Sequence, residues 1–187
     1  MKVLRKHQAI GALALALSLR AWPASIAVQG VPNFHQVNEH IFRSGQPADG
    51  SWKAIADLGV KTVIDLRRPD EHATASEEKG VANAGMRYVN VPMKGVVAPA
   101  PEQMAKVLTL LESTDKVLVH CHRGADRTGA VIACYRIAHD RWERKQALEE
   151  AKSMGMRWTQ MGLKKFIMSF QPGAATASAS AQTNSGL

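Results

Sequence analysis

The sequence predicts an α/β fold, with a central and mainly parallel sheet flanked by helices. Short apolar, β-branched runs alternate with amphipathic helical patterns in the first two thirds of the chain, and helical patterns alone fill the rest. Two of the runs, Val63-Ile64 and Val117-Leu118-Val119, are unbroken apolar sequence. Such runs are typical of strands that are covered on both faces, as strands of a parallel sheet are.

The first predicted elements lie at the start of this alternation. Apolar side chains alternate roughly over residues 34–42, which predicts a strand pair or an extended edge, and the composition of residues 43–47 predicts a turn. Residues 48–58 carry apolar side chains on one helical face, so a helix is expected there, ended by Gly59. Residues 60–66 then predict a strand.

The alternation continues to the middle of the chain. A polar, alanine-rich helix is predicted over residues 71–84, and a strand over residues 86–91. Residues 102–113 predict a helix, and Pro101 stands in its first turn, where a missing N–H costs nothing. Residues 116–120 predict the next strand.

Helices gather in the last third of the chain. Apolar side chains recur at helical spacing in three segments, made up of Val131, Cys134, Tyr135 and Ala138, then Ala147, Leu148 and Ala151, then Leu163, Phe166, Ile167 and Phe170. In α/β sheets of this kind ligands bind at the carboxyl ends of the strands. The residues that follow the strand at 116–120 are therefore candidates for a site.

The two ends of the chain differ in composition from the part between them. Residues 1–27 begin with basic residues, continue with an apolar run too short to span a bilayer comfortably, and end in small residues. We interpret them as a secretory signal cut after Ala27, which predicts a periplasmic or secreted protein; an uncleaved anchoring helix is the alternative. Residues 28–172 are one domain's worth of chain, and residues 173–187, small and polar, predict a disordered tail.

Charge and cysteine content narrow the class of protein further. The formal net charge is +8, and residues 1–27 contribute four of the basic residues and no acid, so the mature chain would carry +4. This suits an anionic substrate, but the basic residues are scattered without an aromatic stripe, so no nucleic acid partner is expected.

Two cysteines are too few for a disulfide scaffold. No membrane contact is expected after signal cleavage, and the sequence does not define an oligomeric state.

The segment 117–129, VLVHCHRGADRTG, carries the clearest chemistry. Cys121 and Arg127 have five residues between them, and they lie between a predicted buried strand and an amphipathic helix. At the start of a helix the unpaired N–H groups and the helix dipole hold an anion and favour a thiolate, which is the nucleophilic form of cysteine. Arginine donates two hydrogen bonds to a phosphate. The segment therefore predicts a phosphate pocket with a nucleophile at its base.

The string from His120 to Thr128, His-Cys-x5-Arg-Thr, resembles the signature loop of cysteine-dependent tyrosine and dual-specificity phosphatases. Four longer stretches are also similar to bacterial members of the dual-specificity-like family, namely FRSGQP at 42–47, TVIDLR at 62–67, YVNVP at 88–92 and GADRTGAVIACYRI at 124–137. The resemblance covers about residues 34–170. It implies the phosphatase fold, a two-step hydrolysis of phosphoesters, and neither a metal nor another cofactor.

This resemblance implies a role for each residue of the loop. Cys121 attacks phosphorus and becomes a phosphocysteine, which water hydrolyses. The backbone N–H groups of residues 122–127 and the Arg127 guanidinium hold the phosphate oxygens, so the predicted substrate-binding residues are His122, Arg123, Gly124, Ala125, Asp126 and Arg127. Thr128 donates its hydroxyl to the cysteine sulfur; a plain helix-start residue is the alternative.

Several neighbouring residues have two interpretations. His120 either orients the loop from beneath or simply packs in the core, and the side chains of His122 and Arg123 either contact substrate or are solvated. Cys134 is either a buried core residue or a resolving thiol that protects Cys121 as a disulfide. For Asp65 with Arg67 the default expectation is a surface salt bridge, and the alternative is that Asp65 braces the loop. Arg43 with Ser44 is expected to fix a turn at one end of the sheet.

The sequence offers two candidates for the general acid that protonates the leaving group. Relatives supply an aspartate from an upstream loop, but no aspartate lies between Asp70 and Asp115, and residues 94–101 contain no carboxylate. Asp126 is the first candidate, with a structural hydrogen bond to loop amides as its alternative. Glu102 is the second, although an acid in the first turn of a helix is also favoured by the dipole alone.

The leading interpretation is an exported cysteine-dependent phosphatase that acts on phosphotyrosine in a phosphorylated protein, with phosphoserine and phosphothreonine as further substrates. One alternative keeps the phosphatase but changes the substrate to a small polyanion, such as an inositol phosphate or a nucleotide. Others are a rhodanese-like sulfurtransferase, which also places cysteine in an anion-binding loop, and a non-catalytic module that binds a phosphorylated ligand.

Overall fold

The structure, a computed structural model, describes residues 27–71 and 74–173. The strands are β1 His35–Gln36, β2 Ile41–Ser44, β3 Val60–Asp65, β4 Arg87–Asn90 and β5 Lys116–His120. The helices are α1 Trp52–Asp57, α2 Thr74–Asn83, α3 Pro101–Leu111, α4 Asp126–Ala138, α5 Arg144–Ser153 and α6 Met161–Ser169. The predicted signal, residues 1–27, and the predicted tail, residues 173–187, lie outside the described residues except for one residue of each.

The strands form one five-stranded sheet in the order β1-β2-β5-β3-β4. β2, β5, β3 and β4 run parallel, and only β1 is antiparallel to its neighbour β2. β5 therefore lies in the centre of the sheet. The prediction of a mainly parallel sheet flanked by helices is confirmed.

Helices cover both faces of the sheet. Successive side chains of a strand point to opposite faces, so the apolar residues of one strand contribute to two separate cores. On β5, Leu118 belongs to the core under α1 and α2, together with Trp52 and Val81. Val117 and Val119 belong to a larger core, to which α3, α4, α5 and α6 contribute. This alternation explains why the three middle positions of the strand, residues 117–119, are all apolar.

The observed boundaries differ from the predicted ones mainly at β2. Arg43 and Ser44 were expected in a turn, but they form the end of this strand, and Ser44 pairs with His120 of β5. The pairing extends the strand because β5 supplies backbone partners up to His120. Both side chains are buried. Within the described residues, no helix is long and apolar enough to cross a membrane.

Candidate active site

The end of β5 and the start of α4 are joined by residues 121–125, which we call the catalytic loop. Cys121 follows the last residue of the strand and is 2% exposed. It lies at a cavity of about 240 Å³, which is lined by Glu71, Gly95, Cys121, His122, Arg123, Asp126, Arg127 and Arg157. A cavity of this size lies just below the range of pockets that enclose whole drug-sized ligands, and it has room for a phosphate group and part of the group that carries it.

Gly124 determines the curvature of the catalytic loop. Its φ is +69°, and a Cβ at this position would lie 2.4 Å from the backbone nitrogen of Gly45 and from the carbonyl carbon of Ser44. Backbone atoms of a neighbouring strand end cannot move aside as a side chain can. Only glycine satisfies both the left-handed conformation and this close approach.

The turn after β2 also holds the loop by hydrogen bonds. The Arg43 guanidinium donates from Nη2 to the carbonyl oxygen of Gly124 over 2.7 Å, and the backbone N–H of Gln46 donates to the carbonyl of His122 over 3.0 Å. Arg43 is 2% exposed, and burial lowers the pKa of its guanidinium to about 10. The arginine therefore still places a positive charge behind the loop at neutral pH.

The amides of the catalytic loop are free to bind an anion. Within the described part of the chain, the backbone N–H groups of residues 122–125 donate to no acceptor, and the first helical bond of α4 is from Gly129 to Ala125. No side chain caps the helix at Ala125. Unpaired N–H groups at a helix N-terminus, with the positive end of its dipole, make an anion site beside Cys121.

Arg127 enters the cavity from the first turn of α4, where it is paired with a carboxylate. Its Nη1 and Nη2 donate to Oε1 and Oε2 of Glu71 over 2.9 and 2.8 Å. Arg68 also donates to this carboxylate over 3.2 Å. Partial burial acts to raise the pKa of Glu71, but the hydrogen bonds from Arg127 outweigh it and the pKa is lowered. Glu71 is thus ionised at neutral pH and holds the end of the guanidinium.

Asp126 is paired with a second arginine at the cavity. It accepts hydrogen bonds from the backbone N–H and the Nε of Arg157, each over 2.9 Å, and Nη2 of Arg157 lies 2.9 Å away. Nη1 of Arg123 is 3.9 Å from the same carboxylate. Asp126 is 6% exposed, whereas the side chain of Arg157 is 49% exposed. In this pair the carboxylate is therefore buried and the arginine is half exposed.

Thr128 and Glu102, two further predicted catalytic residues, differ in position. Thr128 is completely buried, and its hydroxyl makes no hydrogen bond within the described residues. A buried hydroxyl without a hydrogen bond costs about 1–3 kcal/mol of folding free energy. A hydrogen bond that the hydroxyl makes only during the reaction would recover this free energy. Glu102 is exposed in the first turn of α3 and is not among the residues that line the cavity.

The predicted surface salt bridge between Asp65 and Arg67 is wrong, because both side chains are buried. Asp65 accepts from the backbone N–H and Nε of Arg67 over 2.9 and 3.0 Å and from the hydroxyl of Tyr88 over 2.8 Å. Burial acts to raise the pKa of Asp65, but the hydrogen bonds from Arg67 outweigh it and the pKa is lowered. The strand was predicted to be covered on both faces, but this was not extended to its last residue, Asp65, or to Arg67 beyond it, and both are in the interior.

This buried cluster extends to His120, directly before Cys121. Nε2 of His120 lies 2.9 Å from Oε1 of Glu77, and Arg67 pairs with the other oxygen of that carboxylate. Asp65, Glu77 and His120 bring ligand-type atoms within 4.8 Å of one another. Since the Arg67 guanidinium already supplies the positive charge between the two carboxylates, we assign the cluster to support of the loop from beneath rather than to a cation.

Cys134 lies in the core on α4, and the structure favours the first of its two interpretations. The side chain is 0% exposed, and burial raises the pKa of its thiol well above the ordinary value. A thiol that stays protonated is a poor attacking group in disulfide exchange.

Sequence reasoning missed Glu71 and Arg157. Glu71 lies in the loop after β3, and the carboxyl ends of adjacent parallel strands meet at one edge of a sheet, so the acid in RRPDE was a usable signal. Arg157 lies between α5 and α6, and no sequence pattern indicates that this connection returns to the catalytic loop.

Comparison with known proteins agrees with this geometry. A family model described as "DSP-PTPase phosphatase fused to NAD+ Kinase" matches residues 26–168. The chain therefore belongs to the dual-specificity and tyrosine phosphatase family, whose members use a cysteine nucleophile.

Individual relatives match over different lengths. The chain is 38% identical over 104 residues to mouse protein tyrosine phosphatase domain-containing protein 1, and the match covers 48% of this chain and 14% of the mouse protein. It is 30% identical over 141 residues to the inositol diphosphatase DSP2 of Oryza sativa subsp. japonica, covering 70% of this chain and 65% of that protein. The chain thus spans less than two thirds of these relatives.

A bacterial relative is similar in both sequence and structure. The dual specificity protein phosphatase TpbA of Pseudomonas aeruginosa UCBPP-PA14 is 30% identical over 132 residues, covering 69% of this chain and 57% of TpbA. The crystal structure of P. aeruginosa TpbA superimposes with a TM-score of 0.69 at 24% identity, covering 86% of this chain and 98% of the crystallised one. At this identity the superposition establishes the fold.

The pairing of Glu71 with Arg127 leads to a first prediction. We expect Glu71→Gln to lower kcat/KM for an aryl phosphate about tenfold, mainly through kcat, because a guanidinium held by one neutral acceptor is less well oriented. Steady-state kinetics of the purified variant measures this. Glu78→Gln, a change in the exposed part of α2, is the control. An equal or lower KM with undiminished kcat would instead mean that Glu71 competes with phosphate for Arg127.

Proposed function

We propose that this chain is a cysteine-dependent phosphatase that hydrolyses phosphotyrosine in phosphorylated proteins. The observation that carries the proposal is the meeting of Cys121 and Arg127 in one small cavity, at the free N-terminus of α4. A thiol, a guanidinium and a set of unpaired amides are the groups that attack a phosphate monoester and hold its charge.

In the first step the Cys121 thiolate attacks phosphorus. The Sγ–P bond forms while the bond from phosphorus to the ester oxygen breaks, and the leaving oxygen receives a proton. The loop amides of residues 122–125 and the Arg127 guanidinium hold the three equatorial oxygens of the loose transition state. Arg43, behind the loop, adds a fixed positive charge that favours the anion in front of it.

In the second step water attacks phosphorus, the Sγ–P bond breaks, and phosphate leaves with the thiolate restored. The unpaired hydroxyl of Thr128 is the group that we assign to stabilise the departing sulfur. Among the described carboxylates, Glu71 and Asp126 line the cavity. We assign proton transfer to Asp126, because its partner Arg157 is half exposed and can separate from it, whereas the partner of Glu71 is buried.

A small polyanion such as an inositol phosphate is the second candidate substrate. Three arginines, Arg123, Arg127 and Arg157, line the cavity with His122, and they outnumber the two carboxylates. The rice relative bears the name of an inositol diphosphatase. In favour of phosphotyrosine, P. aeruginosa TpbA has been crystallised in complex with this residue. The other two alternatives, a sulfurtransferase and a non-catalytic module, find no support in the family to which the chain belongs.

Cys121→Ser tests the nucleophile and the substrate together. We expect it to abolish hydrolysis of a phosphotyrosyl peptide, with a loss of at least about a thousandfold, because a serine hydroxyl at this position is not ionised at neutral pH. The wild type should yield an acid-quenched phosphoenzyme that Cys121→Ser lacks. Full activity in Cys121→Ser would refute the mechanism. A kcat/KM higher for an inositol polyphosphate than for any phosphotyrosyl peptide would reverse the order of the two substrates.

Asp126→Asn tests the assignment of the acid. An alkoxide leaving group needs protonation more than a phenolate does, so we expect the variant to lose more activity on an alkyl phosphate than on an aryl phosphate. Glu102→Gln should lose little on either, because Glu102 does not line the cavity. The opposite result, in which Glu102→Gln loses alkyl phosphate activity and Asp126→Asn keeps it, would show that the acid comes from α3.

We also propose that the protein acts in the periplasm or outside the cell, with residues 1–27 removed as a signal. The basic start, the short apolar run and the small residues before position 28 support this proposal. N-terminal sequencing of protein recovered from a periplasmic fraction should begin at Val28. Recovery of the intact chain in the membrane fraction would identify these residues as an anchor instead.

A further inference from the structure

Four large apolar side chains are exposed near the mouth of the cavity. They are Val96 and Val97 in the loop after β4, Trp158 after α5, and Met161 at the start of α6. Their exposed fractions are 66%, 45%, 82% and 68%. Of the large apolar residues in the described chain, only Met168 is comparably exposed, at 46%. We call these four residues the apolar rim.

The two segments that carry the apolar rim pack on each other. A Cβ on Gly162 would lie 2.6 Å from the carbonyl oxygen of Val96 and 3.2 Å from the Cα of Val97. The start of α6 therefore touches the backbone of the loop after β4. The two segments that carry the rim are therefore adjacent at this point.

A buried amide connects this surface to the catalytic cavity. Gln160 is 2% exposed, and with its amide oriented to match its neighbours it donates to the carbonyl of Gly95 over 2.8 Å and accepts from Nη2 of Arg157 over 2.8 Å. Gly95 and Arg157 both line the cavity. Val96 and Trp158 directly follow these two residues in sequence, so the rim begins next to one wall of the cavity.

Exposed apolar side chains clustered beside a polar site are typical of an interaction surface, and tryptophan is enriched where binding energy is concentrated. We propose that the apolar rim binds the apolar side chain of a residue adjacent to the phosphorylated residue in a protein substrate. This inference rests on the function proposed above and makes it more specific. Its occupant is a peptide segment of a phosphoprotein, because the rim continues the pocket that receives the phosphate.

The charge distribution separates this occupant from the other candidate substrate. The arginines of the cavity take the phosphate, and the rim adds exposed apolar area beside them, with one lysine at its edge, Lys164, whose Nζ donates to the carbonyl of Trp158 over 3.0 Å. A soluble inositol polyphosphate is polar on every side and has no group to bury there. A peptide with a phosphate and a neighbouring apolar side chain matches both parts.

Two phosphotyrosyl peptides that differ only in the residues next to phosphotyrosine, leucine in one and serine in the other, test the inference. We expect the wild type to prefer the leucine peptide about tenfold in kcat/KM, through KM. In Trp158→Ala combined with Met161→Ala this preference should fall to about twofold or less, because the leucine then has little apolar surface to cover. Met168→Ala, an exposed methionine further along the same helix, is the control and should keep the preference.

Each other outcome has a defined meaning. An unchanged preference in the double variant would refute binding of the leucine side chain by the rim. An equal loss of activity on both peptides would also refute it, since this would indicate damage to the catalytic loop. Wild-type binding to phosphatidylcholine vesicles that the double variant loses, without a change in peptide preference, would assign the rim to a membrane surface. If the wild type hydrolyses neither peptide but does hydrolyse inositol hexakisphosphate, the proposed function fails first.

Discussion

The close approach of Gly124 to the backbone of Ser44 and Gly45 is the constraint on which the site depends. It brings the end of β2 against the catalytic loop, where Arg43 and Gln46 donate to two of the loop carbonyls. With its carbonyls held from behind, the loop leaves the amides of residues 122–125 without acceptors in the described chain. A phosphate cradle arises because the backbone has satisfied its acceptors on one side and exposed its donors on the other.

The arginines around this loop are held by different kinds of partner. Arg67 is buried between two carboxylates beneath the loop, and Arg43 donates to a loop carbonyl. Arg127 and Arg157 line the cavity, each paired with one carboxylate. Arg43 and Arg67 therefore set the shape of the loop, while Arg127 and Arg157 can share their remaining donors with a phosphate. This division connects the core of the sheet to the chemistry at its edge.

Much of the fold and the centre of the site could be predicted from the sequence. The strand–helix alternation predicted the parallel sheet, and the Cys-x5-Arg spacing predicted that Cys121 and Arg127 meet at the start of one helix. Glu71 was missed although an acid after β3 was a usable signal, and Arg157 and Gln160 could not be placed, because the connection between α5 and α6 that carries both is distant in sequence from the catalytic loop. The burial of Asp65 and Arg67 was also missed, since a charged pair has the same spacing on a surface as in an interior.

The sequence by itself therefore determined the type of fold and brought together the proposed nucleophile, Cys121, the proposed phosphate ligand, Arg127, and the helix terminus beside them. These depend on local spacing and on periodicity, which contacts between distant segments do not alter. Only the tertiary structure decided what surrounds Cys121: the carboxylate that holds Arg127, the arginine that holds Asp126, and the exposed apolar residues next to the cavity. Such neighbours depend on which loops the strand order brings to one edge of the sheet, and strand order is not encoded in any single segment.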